Sequence, residues 1–208
     1  MMVQTSPCAL LFWGLLGCVW VLPVLIAPSS PTLCTSLRTL NTNLTQRRRY
    51  MKYNFPINYT IRVHYEEVFK PRNITRLKSQ VEGLEDKDLQ EVWLLVNKEV
   101  LKHILRVLPE RHPSYRYTFS LEDLFLKVQQ MLPSPDEWEP PERIQEICDR
   151  IKDPDYPGWT FITPKSLLDN FYRSMRCLFS DCFSIQYPEE PNYCNVSHWL
   201  RHKSEHQT

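Results

Sequence analysis

The chain has 208 residues, 42% of them apolar and 24% charged, with a formal charge of +1. These values suit one domain with a single core behind a targeting segment, and they lie far from the low-hydrophobicity, high-charge corner of disordered chains. Four Gly against 17 Pro exclude a glycine-punctuated sheet protein and imply irregular connections between elements that are largely proline-free.

Residues 1–29 read as a signal peptide. Cys8 to Ala27 is uncharged and mostly apolar, Gly14, Gly17 and Pro23 interrupt it, and Ala27 and Ser29 supply the small residues wanted before a cleavage point. A run of this length also spans a bilayer, so a signal anchor is the alternative. Residues 30–187 then hold the folded domain and 188–208 a C-terminal tail.

Leu33, Leu37, Leu40, Leu44, Met51 and Phe55 fall on one stripe, which predicts a first helix closed by Pro56. Ile57, Tyr59, Ile61, Val63 and Tyr65 then alternate with polar residues and predict a half-buried strand. A second helix is expected from Glu85 to Leu108, with Leu89, Val92, Trp93, Val96, Val100, Ile104 and Val107 inward. A third should start near Ser120 as its cap and carry Leu121, Leu124, Phe125, Val128 and Leu132. After Pro133 and Pro135, Pro141 to Ile151 reads as a short helical turn. The last helix has Thr163 for a cap and Pro164 at its first position, followed by Leu168, Phe171, Met175, Leu178 and Cys182.

The predicted connections are 29 residues (Pro56 to Leu84), nine (Pro109 to Tyr117) and 31 (Pro133 to Thr163). Long, short, long is the connectivity of an up-up-down-down bundle, because only the short link forces antiparallel neighbours. The fold expected is all-α: a short-chain four-helix bundle of the cytokine type, with a short β-ribbon in the long crossover links.

Five cysteines follow the signal segment: Cys34, Cys148, Cys177, Cys182 and Cys194. With export they should form two disulfides and leave one thiol. One arrangement joins Cys182 to Cys194, stapling the tail to the last helix, and Cys34 to Cys177 or Cys148; the odd thiol is then buried or cross-links two chains. Sequons at Asn43, Asn58, Asn73 and Asn195 make N-glycosylation at those solvent-facing sites the expectation.

From Arg38 through Tyr65 there are six basic residues and no acidic one. Within this cationic stretch Arg47, Arg48 and Arg49 are candidates for acidic glycans or an acidic receptor patch, against a plain solvated face. The stretch lacks the interleaved aromatics of a nucleic-acid binder.

No HExxH, GxSxG or GxxxxGK[ST] motif occurs, so the chain reads as a non-enzyme without a cofactor. Cys194, His198, His202 and His206 stand at metal-ligand spacing on a helix, but in a polar tail where Cys194 is wanted for a disulfide; no metal is assigned. Glu66 and Glu67 beside His64, and Glu85, Asp86 and Asp88, read as a strand end and a helix start rather than acid/base pairs.

The segment from Tyr50 through the FPINY run, Phe55 to Tyr59, with Ile61, Val63, Tyr65, Glu66, Val68 and Phe69, and then the Asn73 sequon and Leu77, resembles the interleukin-34 family. So do Trp93 to Val96, His112 to Ser114, Val128 to Gln130, and Pro164 and Lys165 with Leu167 to Asn170. The resemblance implies a secreted, extracellular homodimer that binds and dimerises the ectodomain of the colony-stimulating factor 1 receptor, a tyrosine kinase of the macrophage lineage, without membrane insertion once the signal is removed. It also implies sulfated proteoglycans as partners, which suits Arg47 to Arg49. The cysteines depart from the family pattern: a cluster at the end of the last helix is reduced to Cys182, and Cys148 and Cys177 look additional.

With the apolar stripes allocated to the core, receptor contacts must come from polar residues between them: Lys98, Glu99 and Lys102 on the second helix, Lys127 and Gln130 on the third. The aromatic stretch Asn54 to Tyr59 should instead pack on the bundle or at a dimer contact.

Overall fold

The computed structural model describes residues 32–132, 138–183 and 192–195, together with 197 and 199. Four long helices carry the core: α1 (Leu33–Thr45), α4 (Asp86–Val107), α5 (Tyr115–Gln129) and α7 (Pro164–Leu178). Shorter helices α2 (Arg47–Lys52), α3 (Pro71–Gln80) and α6 (Glu142–Lys152) lie in the connections, with strands β1 (Ile61–His64) and β2 (Trp159–Ile162).

Side-chain contacts fix the helix directions. Ser36, near the start of α1, donates to Met131 beyond the end of α5, while Tyr117 at the start of α5 donates to the Asn43 carbonyl at the end of α1. Gln90 in the second turn of α4 donates to the Leu178 carbonyl at the end of α7. Cys34 at the start of α1 is bonded to Cys182 just past α7. Both α1 and α4 therefore run antiparallel to α7, and α1 also to α5; the short link 108–114 reverses α4 into α5. Among the four long helices, the pairs in contact are α1 with α5 and α7, and α4 with α5 and α7. This is the up-up-down-down bundle, in which consecutive members of each parallel pair sit diagonally.

The helix starts follow local chemistry. The Thr163 hydroxyl accepts the Ser166 N–H at 3.1 Å, with Pro164 at the position where its missing N–H costs nothing. At α4, Asp88 accepts the Glu85 N–H at 2.9 Å and its other oxygen takes the Trp138 indole N–H.

The two long crossovers are joined by an antiparallel ribbon in which Ile61 faces Ile162, Arg62 faces Phe161, Val63 faces Thr160 and His64 faces Trp159. Beside it Gly158 lies so close to His64 that an added Cβ would meet Nε2 at 3.0 Å.

Several elements differ from the sequence reading. The first stripe is two helices, because the chain turns at Gln46, whose N–H bonds the Asn43 carbonyl rather than extending the regular ladder. The strand is confined to Ile61–His64: Asn58 has φ of +62°, a left-handed kink that Asn tolerates, and Ile57 is 93% exposed. Helix α5 starts at Tyr115, so Ser120 is an exposed mid-helix residue and not a cap. Tyr117 extends the stripe of Leu121 and Phe125 back by one turn, a signal legible in the sequence. Helix α3 was not expected at all; Pro71 starts it, and Ile74 and Leu77 are its buried contribution.

Candidate functional site

The candidate functional groups lie on several surfaces of the bundle. On α4, Lys102 Nζ lies 2.6 Å from Glu99 Oε1, and on α5 Lys127 lies 2.7 Å from Asp123. Both pairs join residues of one helix and leave the face charged but locally balanced. Lys98 is half-buried, and Gln130 is exposed at the end of α5.

The basic run divides into two kinds of residue. Arg47 is a structural group: Nε lies 2.6 Å from Asp169 Oδ1, Nη1 donates to the Leu44 carbonyl, and the guanidinium stacks 4.2 Å over Tyr172. Lys165, one turn before Asp169, holds its other carboxyl oxygen. Arg48 and Arg49 remain exposed. Burial works to raise the Asp169 pKa, but Arg47 and Lys165 outweigh it and hold the carboxyl below its ordinary range.

That direction has a testable sign. A depressed carboxylate pKa contributes stability in full above the unfolded value of about 3.9, and loses it as pH falls through the lower folded value. Asp169→Asn should therefore be less stable than wild type at pH 7, with the gap closing under acid below about pH 4. Denaturant melts across that range provide the check; a gap that widened with acid would refute the assignment.

The disulfides are Cys34–Cys182 and Cys177–Cys194. This corrects the pairing of Cys182 with Cys194: Cys182 lies in a 3-10 turn that has swung back beneath the start of α1, where Arg38 also holds its carbonyl at 2.8 Å. The tail is stapled one turn earlier, to Cys177. Around that staple Arg176 stacks 4.1 Å over Tyr193, and Arg173 lies 5.3 Å from the Trp199 ring. Cys148 is the odd thiol, buried on α6. Burial, then Asp149 and Glu91 against the opposing pull of Lys152, pushes its pKa up to about 11, so it is not a thiolate at neutral pH.

Among the sequons, Asn58 and Asn195 are exposed, while Asn43 and Asn73 are half-buried on α1 and α3. The Asn195 carboxamide oxygen accepts the Ser197 N–H, a local turn at the acceptor. Between α3 and the tail a cavity of about 750 Å3 is lined by Arg72, Arg76, Lys78, Asn192, Cys194 and Asn195.

The paired carboxylates have structural partners. Glu67 is buried and accepts from the His64 N–H at 3.0 Å and meets His103 Nδ1 at 2.7 Å, a pair the sequence reading missed because His103 lies on another element. Glu66 binds Arg150. Of the metal-spaced set, His198, His202 and His206 lie outside the described residues, and Cys194 is in a disulfide. Among the described residues no helix is long and apolar enough to cross a membrane, and the Cys8 to Ala27 run lies outside them.

A family model described as Interleukin 34 matches residues 27–187. The match takes in helices α1 to α7 and strands β1 and β2 as described above, with the Cys34–Cys182 bond, and stops short of Cys194. With that span of the chain matched and the up-up-down-down bundle in place, the chain belongs to the interleukin 34 family of cytokines.

Proposed function

We propose that the chain is a secreted cytokine that binds and dimerises the colony-stimulating factor 1 receptor as a homodimer, promoting survival, proliferation and differentiation of monocytes and macrophages. The family match over residues 27–187 carries this reading. A symmetric ligand presents one surface twice and so holds two receptors together, which makes signalling a matter of geometry and requires no catalysis. Residues 1–29 direct export and are removed, Asn43, Asn58, Asn73 and Asn195 carry N-glycans, and the exposed Arg48 and Arg49 meet sulfated proteoglycans.

The purified protein should bind the receptor ectodomain and induce receptor phosphorylation on macrophage-lineage cells; no binding at micromolar concentration would end the reading. Replacing Lys98, Glu99 and Lys102 together with Ala should weaken that binding by roughly tenfold while the dimer and its melting temperature hold. Unchanged affinity in a folded variant would move the receptor surface off this face of α4.

A further inference from the structure

The cavity of about 750 Å3 between α3 and the tail has two unlike walls. One is the outer side of α3, where Arg72, Thr75, Arg76, Lys78 and Ser79 are exposed. The other is a short turn containing Asn192, Cys194 and Asn195. In it the Asn192 carboxamide oxygen accepts the Cys194 N–H at 3.0 Å, and the Asn192 carbonyl accepts the Asn195 N–H at 2.9 Å. The Cys177–Cys194 bond fastens this turn to α7, so Asn195 is held opposite α3 rather than carried on a loose end. Asn195 opens the Asn195-Val-Ser197 sequon. Its carboxamide oxygen accepts the Ser197 N–H at 2.9 Å, and its nitrogen, the atom to which a sugar is joined, donates to no described residue.

The wall on α3 is rich in donors. Lys78 is neutralised by Asp86 at 2.5 Å, but among the described residues Arg72 and Arg76 stand in no ion pair, and no described acidic residue lines the cavity. Glu82 lies past the end of α3, and Glu189 and Glu190 lie outside the described residues. The guanidinium groups offer N–H donors, and the aliphatic stems of the same side chains offer apolar surface. N-acetylglucosamine, the first sugar of an N-glycan, is the complement: a neutral ring with a C–H face, and with hydroxyl and acetamido oxygens as acceptors. The volume falls within the range of about 300–1,000 Å3 common for small-molecule sites. A sugar joined to the wall of the cavity is also present there at high effective concentration, so weak contacts suffice to hold it.

We propose that the glycan on Asn195 folds back over α3, with its first N-acetylglucosamine residues in this cavity and Arg72 and Arg76 as their donors. The inference rests on the reading that Asn195 is glycosylated, and it adds where the sugar lies and what it does. It clamps α3 to the tail, and because Cys194 lines the same cavity it shields the Cys177–Cys194 bond from reductants in solution.

The test uses the full secreted chain from mammalian cells, with peptide mass spectrometry to read occupancy at Asn195. Wild type is compared with Ser197→Ala, which removes the sequon but keeps Asn195, with Asn195→Gln, with R72Q/R76Q, and with R72Q/R76Q combined with Ser197→Ala. Hydrogen exchange over residues 71–80 reports the clamp, and the rate at which dithiothreitol opens Cys177–Cys194 reports the shield. Ser197→Ala and Asn195→Gln should each speed both by roughly tenfold, the equivalent of one or two net hydrogen bonds. R72Q/R76Q should speed exchange similarly in the glycosylated chain and add little once Ser197→Ala has removed the sugar. Having two routes to the unglycosylated chain keeps the test decisive if one of them perturbs folding. An occupied Asn195 whose loss leaves exchange and reduction within about twofold of wild type overturns the proposal. So does an arginine effect of the same size without the sugar, which assigns Arg72 and Arg76 to peptide groups. Loss of protection in Asn73→Gln but not in Ser197→Ala gives the cavity to the glycan of α3 and overturns it too. An unmodified Asn195 in the secreted wild type is a separate result, read directly by mass spectrometry, and it removes the glycosylation reading itself.

Discussion

Replacing Trp93 with Ala should destabilise the bundle by about 3–5 kcal/mol, a large part of a typical domain's stability. Trp93 has no solvent exposure and lies on α4 against rings from two other long helices and the turn beyond α7. Its centroid is 5.6 Å from Phe125, 5.2 Å from Phe171 and 5.2 Å from Phe179, the last two edge-on. Truncation removes those aromatic contacts and opens a void bounded by rigid rings, which cannot collapse into it cheaply. Trp93→Phe should cost much less. The indole N–H of Trp93 is buried without an acceptor, so Phe loses volume but also removes an unsatisfied donor. Urea unfolding followed by circular dichroism measures both; an Ala variant within about 1 kcal/mol of wild type would contradict this account of the core.

The second large effect is loss of the Cys34–Cys182 bond. It spans 148 residues of sequence, whereas Cys177–Cys194 spans 17. In the chain-entropy picture, cross-linking the longer loop removes about 5 kcal/mol worth of unfolded-state freedom and the shorter about 3 kcal/mol. The location of each bond widens the gap. Cys34–Cys182 ties the first helix to the end of the last, while Cys177–Cys194 fastens only the tail to α7. Cys34→Ser with Cys182→Ser should therefore lower the guanidinium midpoint clearly more than Cys177→Ser with Cys194→Ser. The reverse order would show that the tail, with Tyr193 and Trp199 on the α7 surface, is the stronger clamp.

The sequence made the bundle legible through its stripes and its connection lengths, and both depend on local periodicity alone. Thr163 with Pro164, the run from Leu89 to Ile104, and Leu168 through Leu178 stand where the pattern put them. The errors have a common physical source in contacts between distant segments. At the start of α5 the local stripe already reaches back to Tyr117, but the contacts that seat that turn, the Ser114 hydroxyl donating to the Tyr50 carbonyl and Tyr117 stacked 4.3 Å from Tyr50, leave no trace in a local window. The strand is short because pairing partners exist only where residues 159–162 pass. Surface function was the least legible: Arg47 looks like Arg48 and Arg49 until Asp169 and Tyr172 are brought beside it.

The diagonal placement of α1 and α4 has a consequence for synthesis. These are the first two long helices to be made, yet each packs closely on α5 and α7. A nascent chain that ends before Tyr115 therefore has no complete pair of neighbouring long helices to condense, and the apolar stripes of Leu37 to Leu44 and Leu89 to Ile104 await partners that come later. At about 5–20 residues per second, the 148 residues between Cys34 and Cys182 take roughly 7–30 s to appear. Cys148 and Cys177 both emerge in that interval, ahead of the native partner. Burial of Cys148 on α6 beside Ile144 and Ile147 removes one of these two competitors for Cys34, while Cys177 keeps a free thiol until Cys194 is made.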